Sequence, residues 1–291
     1  FRVDAVPFEN RDWRVGFYFN IAHNENKITE MPDNYTEENY TFNNGEYAYR
    51  REEGRPMGSF YGYRYKGVCQ NKDATYARDA DGNVMKDISG NAIVMRNGTA
   101  TIAPGDALYE DINHDGVINQ YDIVYLGNSN PRFTGGAGVN VSYKQFKLSA
   151  IFYGRYGQDV VNSTRLNNES MRGIDNQSTA VLRRWRNEGD QTDIPRALYG
   201  EGYNTLGSDR FVEDASYLRL KSLSFNYRLP KKIIQRWGFS NIDVYVTGYN
   251  LFTWTKYTGQ DPEVKTENTY ARDSATTPAS IQLVAGFNLS F

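Results

Sequence analysis

One segment of the sequence, residues 111–122, has the spacing of a calcium-binding loop. It reads Asp-Ile-Asn-His-Asp-Gly-Val-Ile-Asn-Gln-Tyr-Asp and follows the pattern D-x-N-x-D-G-x-I-x-x-x-D. In such loops, side-chain oxygens at the first, third and fifth positions converge on the ion because glycine at the sixth permits a sharp turn. The pattern therefore predicts calcium held by Asp111, Asn113, Asp115, the Val117 carbonyl, Asn119 through a water molecule, and Asp122.

The residues around this loop do not have the helical pattern of an EF-hand. Asp106–Tyr109 and Ile123–Leu126 have an extended pattern on either side. Aspartate in place of glutamate at the last loop position resembles dockerin-type loops. The same residues would also form a plain Asx-turn loop that holds no ion.

Motifs for hydrolytic or nucleotide chemistry do not occur. The two histidines are His23, at the end of a predicted strand, and His114, at a non-ligand position of the calcium-type loop. There is no Gly-x-Ser-x-Gly elbow, P-loop or Cys-x-x-Cys, and the single cysteine, Cys69, excludes an internal disulfide. The sequence therefore predicts a protein that is not an enzyme.

The element that best indicates the fold is Ile281–Phe291. Its odd positions are all apolar and its even positions are polar or small except for Val284, which is the period-two pattern of a β-strand. The apolar face needs either a packed second layer, as in a soluble sandwich, or lipid, which a strand of about 9–11 residues can cross.

Six further segments have strand patterns, around Val3, Phe17, Val139, Leu148, Phe225 and Val244. In one of them the apolar phase slips between Leu220 and Leu223, which predicts a one-residue bulge near Lys221. If lipid covers the apolar faces, the residues that contact it are Trp13, Phe17, Phe19, Val139, Val141, Phe146, Leu148, Phe152, Val244, Leu283, Phe287 and Leu289.

The connections between these strands alternate between short and long. Residues 10–12, 144–145 and 230–240 are short, whereas 24–132, 159–207 and 253–279 are long. Outer-membrane barrels have short periplasmic turns and long outer loops, and single bacterial chains normally close with an even strand number. Residues 1–291 are therefore predicted to be all-β, with about seven antiparallel strands forming the C-terminal part of a large transmembrane β-barrel with long extracellular loops.

Composition agrees with a barrel and argues against other classes. The formal net charge is -2 and no basic run occurs, so nucleic acid is not an expected partner. No stretch approaches the length of about 18 apolar residues that a transmembrane helix needs. Tyr 23, Phe 15 and Trp 4 make an aromatic-rich chain, which suits membrane-interface belts and also saccharide-binding surfaces.

Several stretches spread over nearly the whole chain resemble one family. They are Gly54–Tyr63, Gly105-Asp106, Asp111–Asp122, Gly127-Asn128 with Asn130-Pro131, Tyr143-Lys144, Thr192–Arg196, Ser216–Lys221, Asn250–Phe252, Asp261–Val264 and the terminal strand. In these segments the chain resembles the SusC/RagA-type TonB-linked outer-membrane transporters of Bacteroidetes.

The resemblance implies a location in the bacterial outer membrane and import of oligosaccharides or peptides. It implies a barrel of about 22 strands that encloses an upstream plug. The implied partners are the rest of the barrel and its plug, membrane lipid, a SusD-like surface lipoprotein acting as a lid, the substrate, and the TonB complex through the plug. The alternative is a calcium-dependent extracellular adhesion or scaffold module.

Overall fold

The chain is dominated by one seven-stranded antiparallel sheet. A computed structural model describes residues 1–32, 46–48, 50–200, 202–267 and 270–291. The strands are β1 (Arg2–Glu9), β2 (Trp13–His23), β3 (Phe133–Tyr143), β4 (Phe146–Tyr156), β5 (Tyr217–Arg228), β6 (Asn241–Thr255) and β7 (Gln282–Ser290). Each strand pairs with the next along the chain. The prediction of about seven antiparallel strands is confirmed.

Short connections join the strands at one end of the sheet. The Asn10 side chain accepts hydrogen bonds from the backbone amides of Asp12 (2.9 Å) and Trp13 (2.8 Å), which fixes the β1–β2 turn. Lys144 adopts a positive φ of 52° in the two-residue β3–β4 turn. The β5–β6 connection contains a helical turn at Lys231–Ile234 and a 3-10 turn at Gln235–Trp237.

The register lines up side chains of one character in rows across the sheet. Three apolar rows lie on one face: Trp13–Tyr143–Phe146–Tyr227–Val244–Phe287, Val15–Val141–Leu148–Phe225–Val246–Ala285 and Phe17–Val139–Ala150–Leu223–Gly248–Leu283. Two largely polar rows lie between them on the other face: Arg14–Ser142–Lys147–Asn226–Tyr245–Gly286 and Gly16–Asn140–Ser149–Ser224–Thr247–Val284. We call the face with the three apolar rows the outward face, and the face with the two polar rows the inner face.

The outward face is not covered by another part of the described chain. Ten of the twelve residues predicted to contact lipid are exposed, including Leu283 (76%) and Phe287 (67%). The other two, Val141 and Phe152, are half-buried. This exposure is what the barrel interpretation requires, because in a soluble sandwich a second layer would bury these side chains.

The predicted bulge in β5 is confirmed. Ile151 pairs with Ser222 and the next residue, Phe152, pairs with Leu220, so Lys221 is left without a partner in the register. The extra residue reverses the alternation of β5. It therefore keeps Leu220 in the same row as Phe152 and Phe252.

The long connections form loop A (24–132), loop B (157–216) and loop C (256–281) at the other end of the sheet. Loop A has the predicted bounds, whereas loop B is longer than the predicted 159–207 and loop C begins later than predicted because β6 runs to Thr255. Loop B contains short strands, and the helical pattern of its Thr179–Arg186 segment corresponds to a 3-10 helix at Thr179–Arg183. Loop strands are Ser59–Gly62, Tyr65–Val68, Arg96–Asn97, Ala100–Thr101, Ala107–Tyr109, Val117–Ile118, Val124–Asn128, Asp159–Asn162, Val212–Asp214, Thr266–Glu267 and Tyr270–Asp273. Helical turns are Asp73–Thr75, Gln120–Asp122, Ser163–Asn168, Tyr203–Thr205 and Asp209–Phe211.

No helix within the described ranges has both the length and the apolar character needed to cross a membrane.

The hydrophobic core lies in the loops and not in the sheet. Every cluster of buried apolar side chains found among the described residues belongs to loops A, B and C. In the largest cluster, Tyr61, Tyr63 and Tyr109 of loop A pack with Leu206 of loop B. The three loops therefore form a packed layer at one end of the strands.

Two similar segments of loop A, Asp81-Gly82-Asn83 and Ser89-Gly90-Asn91, have the sequence signal of hairpin turns, and both form such turns. Asp79 accepts hydrogen bonds from the amides of Asp81 (3.0 Å) and Asn83 (2.8 Å), and Asp87 accepts equivalent bonds from residues 89 and 91. Backbone hydrogen bonds of 2.9 Å link positions 77, 85 and 93 in a closed ring. The spacing of eight residues between them reflects the repeated turn.

A charged side chain should be tolerated on one face of β3 and not on the other. We expect Val141→Arg, on the outward face, to destabilise the full-length protein in lipid bilayers by about 2–4 kcal/mol. Asn140→Arg is the matched control, because it lies on the inner face opposite Gly16 and Ser149. Equilibrium unfolding from bilayers measures both, and equal costs at the two positions would contradict the assignment of faces.

Candidate functional site

The calcium-type loop folds into a tight turn around its first aspartate. Asp111 accepts hydrogen bonds from the backbone amides of Gly116 (2.8 Å) and Asp115 (3.2 Å). Asp115 in turn accepts one from the amide of Val117 at 2.7 Å. Gly116 has a φ of 82°, which glycine adopts without strain and which makes this reversal possible.

The two asparagines of the loop bond within it. Asn113 donates its side-chain amide to the Asp115 carboxylate at 2.9 Å. Asn119 donates its side-chain amide to the Val117 carbonyl at 3.0 Å. The structure thus brings the predicted ligand residues together in one network of short-range hydrogen bonds.

Asp122 closes the loop from a buried position. Its two carboxylate oxygens accept hydrogen bonds from the amides of Ile112 and Asn119, both at 2.8 Å. Burial raises the pKa of Asp122, the two amides act in the opposite direction, and the carboxylates of Asp111 and Asp115 raise it further. Unneutralised negative charge is therefore concentrated here.

The donor set suits calcium, but each of its six members already accepts a hydrogen bond within the loop. Carboxylate, amide and carbonyl oxygens are the ligands that calcium prefers. The Val117 carbonyl and the Asp122 carboxylate are engaged by the loop's own hydrogen bonds. Within the described residues, no three acidic, histidine or cysteine groups converge as a metal centre.

The flanks of the loop are extended, as the sequence predicts. Short strands at Ala107–Tyr109 and Val124–Asn128 lie on either side of it. Val117–Ile118 also pairs in parallel with Arg96–Asn97. The loop is therefore built into the packed part of loop A and is not flanked by the two helices of an EF-hand.

A partly buried ion pair joins loop A to loop B. Arg196 donates from Nε and Nη2 to the two oxygens of Asp106, at 2.7 and 3.1 Å. The side-chain amide of Asn204 donates to Asp106 at 3.2 Å. This bidentate geometry fixes the relative position of the two loops.

Gly105 is required beside this pair. Its φ is +91°, and a Cβ built there would lie 2.3 Å from the Trp185 ring. The Gly105 carbonyl also accepts a hydrogen bond from the Arg196 amide at 2.7 Å. The Gly105-Asp106 and Thr192–Arg196 stretches, noted separately in the sequence, are therefore two halves of one contact.

A second charged network joins loop C to the sheet. Arg219 of β5, almost fully buried, contacts Asp261 and donates to Glu263 at 2.9 Å. Its Nε also donates to Thr253 at 2.8 Å. Lys221, the bulged residue, pairs with the same Glu263 at 2.9 Å. The Ser216–Lys221 and Asp261–Val264 stretches thus meet in space.

Sequence reasoning did not find these pairings. Asp106 and Arg196 are 90 positions apart, and Arg219 and Asp261 are 42 apart. No spacing rule connects residues across such distances, and the only signal was that each stretch resembled the same family. His23, the other histidine considered, has its Nδ1 2.7 Å from the Arg132 carbonyl, where β2 meets β3.

Comparison with curated proteins gives two informative relatives. The TonB-dependent receptor P3 of Formosa agariphila is 32% identical over 278 residues, a match that covers 92% of this chain and 25% of the relative. The TonB-dependent receptor SusC of Bacteroides thetaiotaomicron is 24% identical over 301 residues, covering 100% of this chain and 26% of SusC. The chain thus spans about a quarter of the length of these relatives. No protein-family model matches it.

Solved structures show the same fold. The RagAB peptide transporter matches all of this chain with a TM-score of 0.68 and 26% identity, over 28% of its own chain. The RagAB peptide importer in its closed-closed state gives a TM-score of 0.69 at 26% identity. The sheet, the exposed outward rows and the long loops agree with these relatives, and we conclude that the chain belongs to the SusC/RagA-type TonB-dependent receptors and forms part of their β-barrel in the bacterial outer membrane.

Proposed function

We propose that the chain is the part of an outer-membrane importer that combines barrel wall with substrate-facing outer loops. The observation that carries this proposal is the separation of its two surfaces. The strands expose apolar rows to the outside, whereas the buried clusters and the charged networks lie in loops A, B and C. The relatives are receptors and transporters, which favours import over the adhesion alternative.

The cargo we propose is an oligosaccharide or a peptide. The RagAB structures are described as a peptide transporter and importer. The loops of this chain are rich in tyrosine, asparagine, aspartate and arginine, whose rings and hydrogen-bonding groups suit both kinds of polar polymer. In this proposal the plug of the whole protein, pulled by TonB, opens the path, and no residue of this chain makes or breaks a covalent bond.

We propose a SusD-like lipoprotein lid that docks on loops A and B. A lid needs apolar anchors on the receptor, and these loops expose several. Ile88 of loop A and Ile174, Leu182 and Tyr199 of loop B are all strongly exposed. Such side chains provide anchors when a partner covers them.

Charges placed at these anchors should weaken lid binding. We expect the double variant Ile88→Asp and Ile174→Asp in the full-length protein to reduce lid association on the order of tenfold or more, because each buried anchor contributes about 1–2 kcal/mol. Uptake should fall in parallel. Thr276→Asp, at an exposed position of loop C, is the control and should change neither.

Unchanged lid binding in the double variant would remove loops A and B from the docking surface. Uptake that persists without any lid would replace the capped importer by a simple pore.

We also propose that calcium binds the 111–122 loop and stiffens loop A. Asp111, Asn113, Asp115, Val117, Asn119 and Asp122 would bind the ion after releasing or sharing some of their present hydrogen bonds. Two features of the loop support calcium binding. Its donor oxygens are of the kinds that calcium prefers, and its carboxylates concentrate negative charge that a cation would offset.

Removing one proposed ligand should abolish this stiffening. At millimolar calcium, a site with a Kd of about 0.1 mM stabilises its loop by about 1.4 kcal/mol. We expect calcium to slow proteolysis of loop A in the wild type and not in Asp115→Ala. Asp81→Ala, in the nearby hairpin turn, should behave as the wild type does. Identical proteolysis of the wild type in calcium and in chelator would reject the site.

A further inference from the structure

One outward row lacks side chains at two neighbouring positions. The row runs Ile21–Gly135–Gly154–Leu218–Trp254 across strands β2 to β6. Gly135 and Gly154 are directly paired, so β3 and β4 together leave a gap in the apolar surface. Leu218 covers part of this gap, since its Cδ1 lies 3.4 Å from a Cβ built at Gly154. The rest of the gap is open to lipid on this face.

The gap opens into a groove of about 670 Å³ at the loop end of the sheet. The outward-row residues that line it are mainly apolar: Phe19, Ile21, Phe133, Gly135, Ala137, Gly154, Tyr156, Leu218 and Trp254. Trp254 is 53% exposed and Tyr156 is 63% exposed. Tryptophan and tyrosine are enriched at the level of lipid headgroups, so the groove lies where an acyl chain meets its headgroup.

The end of the groove near loop C is polar and carries an unneutralised cation. Lys256 lines it, and the described residues place no carboxylate within ion-pairing distance of this lysine. Asp214 also lines the groove, where its carboxylate is held by hydrogen bonds from the amide (2.8 Å) and the hydroxyl of Ser216. Arg155 follows the inner-face alternation of β4, and its Nε donates to the Tyr153 hydroxyl at 3.3 Å, so its charge belongs to the other face. Lys256 is therefore the group that can pair with the phosphate of a bound lipid.

We propose that this groove retains one anionic lipid of the outer leaflet. Its acyl chain lies over Gly135 and Gly154, and its phosphate pairs with Lys256. The groove continues the lipid-contacting face, and each methylene removed from water or from loose packing adds to retention. The site depends on the position of this sheet in the membrane and not on the proposed cargo or lid.

The glycines themselves are poor targets for a test. A Cβ at Gly135 would lie 2.5 Å from the Asn20 carbonyl oxygen, and one at Gly154 would lie 2.7 Å from the Tyr217 carbonyl oxygen. Ala137 lines the groove in the adjacent row and can be enlarged instead. Ala150, outward-facing on β4 and outside the groove, is the matched control.

The acyl-chain arm uses the full-length protein and phosphatidylglycerol with brominated chains. Native mass spectrometry after detergent exchange counts the retained lipids. Bromine quenching of tryptophan fluorescence reports how close the acyl chain lies to tryptophan, and comparison with Trp254→Phe gives the part of the quenching that is due to Trp254. We expect one retained lipid in the wild type and in Ala150→Leu, and its loss in Ala137→Leu at unchanged thermal stability. Equal retention in the two leucine variants would overturn the proposal. If Ala137→Leu fails to fold, undiminished quenching in Trp254→Phe overturns it.

The headgroup arm compares phosphatidylglycerol with phosphatidylcholine. One lysine near an anionic lipid surface corresponds to about a fivefold preference. We expect this preference in the wild type and in Lys265→Gln, a control in the same loop, and its loss in Lys256→Gln. A preference that is absent from the wild type or survives in Lys256→Gln would contradict the assignment of the phosphate to Lys256.

Discussion

The structure depends on the requirement that backbone polar groups inside a bilayer pair with each other, because lipid offers them no hydrogen bonds. Strands β2 to β6 have an antiparallel neighbour on both sides, with registers that bulges interrupt locally. β1 and β7 each have one neighbour in the described sheet. The unpaired edges of these two strands need further strands, so the sheet is part of a larger closed barrel.

The same requirement explains where the hydrophobic core lies. The outward face is apolar toward lipid and the inner face is largely polar, so neither packs as the interior of a soluble protein would. The buried apolar clusters are instead in loops A, B and C. Charged contacts at Asp106–Arg196 and Arg219–Glu263 then hold these loops to one another and to the sheet. A rigid layer of this kind can present a defined surface to cargo and to a partner.

The sequence was informative where a local rule operates and uninformative where distant segments meet. Period-two alternation located the strands and a slip in that alternation located the bulge at Lys221. The Asp-Gly-Asn and Ser-Gly-Asn signals located two turns, because a turn is determined by neighbouring residues. The pairing of Asp106 with Arg196 and the burial of Leu206 under the tyrosines of loop A arise from tertiary contacts, which no periodicity encodes. The end of β6 at Thr255, beyond the predicted Phe252, has the same origin, since Tyr217–Leu220 of β5 continue the ladder.

The most direct test of the account is the lipid accessibility of successive positions on β3. Nitroxide labels at residues 139, 140, 141 and 142 of the full-length protein in bilayers, in a background without reactive cysteines, would be probed with oxygen and with a water-soluble nickel complex. The account predicts high oxygen and low nickel collision rates at 139 and 141, and low oxygen collision rates at 140 and 142. Uniform rates along the four positions, or exclusion of both reagents from 139 and 141, would contradict a lipid-facing barrel wall.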